Sequence, residues 1–155
     1  MKTKFVKNYV DNSLGFPVCF AKVQMVKLRG KWIPDINISK VSDLLFRSLP
    51  SKEVRLSGNE IRFVRLKLDM TLEKFGNEFN VSHVTVMNWE KVGDEPTKMK
   101  WAIEKDIRLF IRSKCETGRN FYKIYKNLKD ERPSEVQEIK ISSNSDKEEY
   151  ELMLT

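Results

Sequence analysis

Residues 56–91 read LSGNEIRFVRLKLDMTLEKFGNEFNVSHVTVMNWEK. Ser57 stands just ahead of an apolar periodicity and Glu60 follows three residues later. In that pattern a hydroxyl and a carboxylate each accept from the other residue's backbone N–H at a helix start. Ile61, Val64, Arg65 and Leu68 then share one helical face. Thr71 occupies the cap position of a second helix, whose Leu72, Phe75, Gly76 and Phe79 follow the i, i+3, i+4, i+7 spacing. Asn80 suits the left-handed backbone that closes a helix, and Ser82 caps a third.

Two helices joined by a turn of three to four residues predict a helix-turn-helix. On a helical wheel, Val86 and Trp89 turn toward the first two helices. Val84, Met87, Asn88 and Lys91 turn away, with His83 at the exposed N-terminal end. Two apolar groups, an amide and a lysine left open to solvent make a mixture suited to a DNA major groove. Asn bonds an adenine edge in a bidentate way, and an aliphatic side chain packs on a thymine methyl. The helix N-terminus with Ser82 suits a phosphate. Thr71, Thr85, Lys98 and Lys100 complete the candidate DNA contacts, the two lysines because they are expected to open the next helix. Gly76 lets the two helices cross closely. Arg65 and Glu90 fall on inward faces, where a lone charge is costly, so they are expected to pair in a structural role.

Upstream, residues 16–36 alternate as strands, with Arg29-Gly30 as a turn and Pro34 limiting the second strand. A short helix is predicted from Ser39 to Leu49, with Val41, Leu44, Leu45 and Ser48 as its stripe and Pro50 as its stop. Downstream, a longer helix is predicted over Thr97–Lys114, with Met99, Ala102, Ile103, Asp106, Leu109 and Phe110 near one side. A last helix is predicted over Gly118–Lys129. After Pro133 the periodicity ends and SSNSDKEE reads as disordered, although EVQEIKIS has the composition of a strand. The expected fold is therefore α+β, mainly α. A small β-rich segment with a short helix (1–54) precedes a helix-turn-helix domain (55–115), a C-terminal helix (116–130) and an acidic, disordered tail (131–155), giving five helices in the DNA-binding part.

The 155 residues suit one domain with appendages, long enough to bury a core without metals or disulfides. Net charge is +7, with a pI near 9.4. Seven acids against three bases leave residues 131–155 at −4, so residues 1–130 carry +11. A basic body suggests an anionic partner. The two cysteines, Cys19 and Cys115, lie far apart, and with a single histidine they form no zinc site, so no metal or other cofactor is expected. No apolar run reaches the length of a membrane span, and no apolar stretch follows the N-terminal lysines as in a signal peptide. A cytoplasmic location is expected.

LSGNEIRFVRLKLDMTLEKFGNEFNVSHVTVMNWEK resembles the Xre/phage-repressor regulators, most of all antitoxin-type regulators related to MqsA and HigA. The motifs are Glu-Ile-Arg-Phe at 60–63, Val-Ser at 81–82 and Trp-Glu at 89–90. The resemblance covers residues 55–112 well and 14–54 loosely. It implies phosphate or base contacts from Ser82, His83, Val84 and Asn88, and an internal ion pair between Arg65 and Glu90. Three departures stand out. Leu72 replaces a phosphate-bonding Gln, Asn80 replaces the common turn Gly, and the zinc-binding cysteines of the MqsA type are absent.

The expected function is a sequence-specific DNA-binding transcriptional regulator, a homodimeric repressor of antitoxin type on a palindromic operator in double-stranded DNA, with room for a toxin partner. The alternative is a protein-interaction module of the same fold that docks a protein. Paired carboxylates, a metal cluster and a Gly-rich phosphate loop are all missing from the sequence, so an enzyme is not expected.

Overall fold

Val18–Leu28 (β2) is the longest strand and the one on which the others assemble. Its apolar residues lie on both faces at its start and on one face further along, so Val18, Cys19, Phe20, Val23 and Met25 are all buried. The computed structural model describes residues 1–115, 138–144 and 149–153. They belong to two compact units, Met1–Leu45 with Glu138–Thr155, and Phe46–Gln137.

In the first unit, Thr3–Asp11 (β1) runs antiparallel along one edge of β2. The other edge is shared. Lys31–Pro34 (β3) pairs antiparallel with Met25–Leu28, and Ile139–Asn144 (β4) pairs parallel with Val18–Phe20. Glu149–Leu152 (β5) closes the far side against β4. The β2–β3 connection is the two-residue turn Arg29-Gly30, with φ of 49° and 81°. Positive φ at both positions matches the twist of the flanking strands. Asn37 caps Ile38–Ser48 (α1), accepting the Lys40 N–H at 3.1 Å, and donates its own backbone N–H to the Tyr150 hydroxyl at 2.7 Å. Tyr150 also meets the Phe20 ring edge-on, and Ile141 of β4 is fully buried.

The second unit contains a short 3-10 turn, Leu49–Ser51, then Gly58–Lys67 (α2), Leu72–Glu78 (α3), His83–Lys91 (α4) and Trp101–Ser113 (α5). The Ser57/Glu60 capping box forms: Ser57 Oγ accepts the Glu60 N–H at 3.1 Å and Glu60 Oε1 accepts the Ser57 N–H at 2.8 Å. Ile61, Val64, Phe75, Val86, Ile107 and Ile111 are fully buried. Phe79 joins Phe75 and Phe110 in edge-on contacts at 5.0 and 5.5 Å. Among the described residues, no helix is long and apolar enough to cross a membrane.

This architecture overturns the mainly α expectation. In place of a small hairpin ahead of a five-helix helix-turn-helix domain, the described residues form a five-stranded mixed sheet and five α-helices, and a helix-turn-helix domain is not shown. Residues 55–115 hold four of those helices. The helix expected at 118–129 lies outside the described residues. The tail expected to be disordered supplies β4, which begins within the strand-like EVQEIKIS, and β5. Its weak local pattern is overridden by pairing with β2 and by burial of Ile141. The helix expected from Thr97 begins instead at Trp101. Pro96 and Thr97 lie beside the start of α2, where the Thr97 N–H reaches the Leu56 carbonyl at 3.2 Å and Ser57 bridges to Pro96.

Candidate nucleic-acid interface

α4 is nine residues long and two-faced. Val86 and Trp89 are buried, while His83, Val84, Asn88 and Lys91 are exposed. Val84, Asn88 and Lys91 are spaced i, i+4, i+7 and so form one stripe. Met87 and Thr85 are half-buried at its margins. Val84 is 45% exposed, so the stripe carries an aliphatic side chain beside its amide and lysine.

The start of the helix is tightly fixed. Ser82 Oγ accepts the Thr85 N–H at 3.2 Å, and the two hydroxyls lie 3.0 Å apart, so both side chains are committed to the cap. The turn before it is compact. Asn80 has φ 56°, and the Val81 N–H returns to the Gly76 carbonyl at 2.9 Å. A Cβ at Gly76 would lie 2.6 Å from the Val81 carbonyl oxygen, closer than any real contact. Glycine at 76 is therefore what lets the connection between α3 and α4 close.

The far end is tied to α2. Arg65 Nε donates to Glu90 Oε1 at 2.6 Å and Arg65 Nη2 donates to Glu90 Oε2 at 3.2 Å, a two-point contact. Arg65 Nη1 also donates to the Met70 carbonyl at 3.0 Å. One guanidinium thus links α2, the turn after it and α4. The two side chains are 11% and 12% exposed, so the pair is largely but not wholly removed from water. Asn59 Nδ2 donates to Asp94 Oδ1 at 2.9 Å, and the Gly58 N–H reaches the Glu95 carbonyl at 3.2 Å. At Gly58 a Cβ would run into the Trp89 carbonyl oxygen, so the start of α2 touches the backbone of α4 directly.

The structure brings Ser82, His83, Val84, Thr85, Met87, Asn88 and Lys91 together on α4. The remaining candidates sit elsewhere. Thr71 is exposed and caps α3, its Oγ1 accepting the Lys74 N–H at 3.1 Å. Lys98 and Lys100 are exposed but do not open a helix. Lys98 has φ 59°, and Lys100 is the residue before α5, whose start carries no side-chain cap. The left-handed turn at Lys98 delays the helix by one turn.

A second set of residues carries no expectation from the sequence. Glu104 and Arg108 of α5 are completely buried, with Arg55 nearly so. Glu104 accepts from Arg55 Nε at 2.9 Å, the Leu56 N–H at 3.1 Å, and Arg108 Nε and Nη2 at 3.1 and 3.0 Å. Arg108 also donates to the carbonyls of Pro50, Lys52 and Val54 at 3.1, 2.6 and 2.7 Å. Arg55 Nη2 reaches the Met99 carbonyl. Trp101 lies beside both guanidinium groups, 5.6 Å from Arg55 and 5.5 Å from Arg108. This network fastens the segment ahead of α2 onto α5 and so frames the helices that carry α4. Its signal in the sequence is Glu104, Ile107, Arg108 and Ile111 at i, i+3, i+4, i+7.

Among the described residues, no group of three or more His, Cys, Asp or Glu side chains is placed to hold a metal ion. No family model matches the chain, and no curated protein or solved structure matches it either.

Proposed function

We propose that this chain is a sequence-specific DNA-binding regulator that lays the outward stripe of α4 in a major groove. The observation that carries the reading is the exposure of Val84, Asn88 and Lys91 on a helix held at both ends, by the Ser82 cap and by the Arg65–Glu90 pair. A rigid helix with one open amide, an aliphatic group one turn away and a lysine beyond offers base-edge, thymine-methyl and phosphate contacts in that order. The charge of +11 on residues 1–130 supports the same partner. So does the resemblance of residues 56–91 to Xre-type regulators, which adds a dimer on a palindromic operator and antitoxin-type repression.

A second reading is favoured by one observation. Exposed Val84 beside half-buried Met87 is also what a protein-docking face presents, a toxin being the partner the resemblance suggests. Selection of duplex from a random double-stranded pool, followed by titration in salt, separates the two. DNA reading gives one enriched sequence. Its affinity falls by about 10³–10⁵ between 50 and 200 mM salt for six to ten phosphate contacts. No enrichment, or an affinity indifferent to salt, overturns the proposal.

A further inference from the structure

The sheet presents a second charged surface, remote in sequence from α4. Residues 1–34 contain seven bases, Lys2, Lys4, Lys7, Lys22, Lys27, Arg29 and Lys31, against one acid, Asp11. The strand register sorts them by face, since directly paired residues and every second residue along a strand lie on the same side. Phe5 pairs with Gln24, Lys7 with Lys22, and Leu28 with Lys31, and Ile33 pairs with Val26. All of these residues therefore share one face. At the β4 end of that face Phe20 is buried, but toward the β2–β3 turn it is open. Phe5 is 52% exposed, and Leu28, Ile33, Lys7, Lys22 and Lys31 are exposed as well. Trp32, flanked by Lys4 and Lys27, stands on the opposite face.

Two features of this surface point to an occupant. Lys7 and Lys22 are direct cross-strand partners, an arrangement that destabilises a sheet unless something anionic lies between the charges. Among the described residues neither lysine has a carboxylate within ion-pair distance. Beside them Lys22 Nζ lies 4.2 Å over the Phe5 ring, so a cation adjoins a half-exposed aromatic ring and covers one side of it. A second copy of the chain does not fit, because stacking this face on itself sets lysines against lysines. The β1 edge is also guarded against strand pairing by Lys4, Lys7 and the left-handed kink at Asn8, φ 53°.

We propose that this face binds single-stranded nucleic acid, with Phe5 stacking on a base and Lys7, Lys22 and Lys31 neutralising the phosphates. Successive side-chain rows on one face are about 6.8 Å apart, a step that an extended nucleotide backbone can follow. Base–aromatic stacking needs no particular base, so the site is sequence-tolerant. It is independent of the duplex reading assigned to α4.

The test is fluorescence anisotropy of labelled 20-nucleotide deoxythymidine and uridine oligomers with the full chain, over a range of salt. The variants are Phe5→Ala, Phe5→Tyr, Lys7→Gln with Lys22→Gln, and Asn88→Ala. The parent should bind at least one oligomer. Phe5→Ala should weaken binding by roughly 5–150-fold, the range spanned by loss of one base–aromatic stack, and Phe5→Tyr should retain it. The double lysine variant should lower the salt slope by about 1.4, or about 0.7 for each phosphate left without its lysine. Asn88→Ala should leave these affinities unchanged while altering duplex recognition. Because Phe5 is half exposed, its truncation should spare the fold, which circular dichroism confirms. Binding indifferent to Phe5 and to both lysines overturns the proposal, as does capture of anionic phospholipid vesicles while both oligomers are ignored.

Discussion

Replacing Glu104 by Ala strips one carboxylate from the middle of α5 and should unsettle the whole second unit. The carboxylate accepts four hydrogen bonds, from Arg55 Nε, the Leu56 N–H, and Arg108 Nε and Nη2. Arg108 keeps its three backbone carbonyl partners, but it and Arg55, both buried cations, then lose the one carboxylate they share. Breaking a buried pair in this way costs about 3–5 kcal/mol, a large fraction of a typical net stability of roughly 5–15 kcal/mol. For a unit of this size the melting point should fall on the order of 10–30 °C. Urea unfolding followed by tryptophan fluorescence suits the question, since Trp101 lies beside both guanidinium groups. The midpoint should drop while the slope stays near the parent value. A triple variant, Arg55→Met with Glu104→Leu and Arg108→Met, should recover much of the loss, because apolar replacement of the whole set removes the stranded charges. A loss below about 1 kcal/mol for Glu104→Ala, within reach of an ordinary substitution, would refute the claim that this network holds the unit together.

Three further outcomes follow from local geometry. Glu90→Ala should cost less than Glu104→Ala, about 1–3 kcal/mol, because Arg65 keeps the Met70 carbonyl and the pair is partly solvated; equal losses in thermal melts of the two variants contradict the difference in burial. Gly58→Ala would ordinarily favour a helix by roughly 0.5–1 kcal/mol, yet here the added methyl meets the Trp89 carbonyl, so the variant should melt lower, and a neutral or raised melting point rules out the close approach of α2 to α4. Removing residues 138–155 takes Ile141 from the sheet core, by itself worth about 1.5–3 kcal/mol, and should speed amide exchange across Val18–Phe20, whereas unchanged protection there shows that β4 does not pair with β2.

What is legible in the sequence is local. Ser57 with Glu60 and the hydroxyls of Thr71 and Ser82 mark helix starts by chemistry complete within four residues, and the observed caps use those atoms. Gly30 marks the β2–β3 turn because glycine accepts positive φ without strain. The two faces of α4 are likewise readable from spacing. β1 is not, because TKFVKNYVD is exposed or half-exposed throughout and shows no buried alternation. β4 is half legible, since EVQEIKIS has the composition of a strand, but its partner β2 lies more than a hundred residues away in sequence, and β5, which pairs with β4, is hidden by an acidic composition. The face of α5 differs from expectation for a sharper reason. Ala102 and Asp106, expected on its inner side, are exposed, and the true inner positions hold Glu104 and Arg108. Charged residues at core positions look like surface unless their partners are known, and those partners are Arg55 and three carbonyls from a different segment.

The central claim is that α4 reads DNA with Val84 and Asn88, and it turns on an amide that contributes nothing visible to the fold. The decisive measurement is equilibrium binding of the parent and Asn88→Ala to the selected duplex and to its single-base variants, at one salt concentration, with circular dichroism to confirm that structure is kept. The account predicts a loss of about 1–3 kcal/mol on the selected duplex and relaxed preference at a single base pair per half-site. Lys91→Ala serves as the contrast and should weaken all the duplexes about equally while lowering the salt slope by about one. An Asn88→Ala variant that binds and discriminates like the parent contradicts the claim and moves the protein-docking reading of α4 ahead.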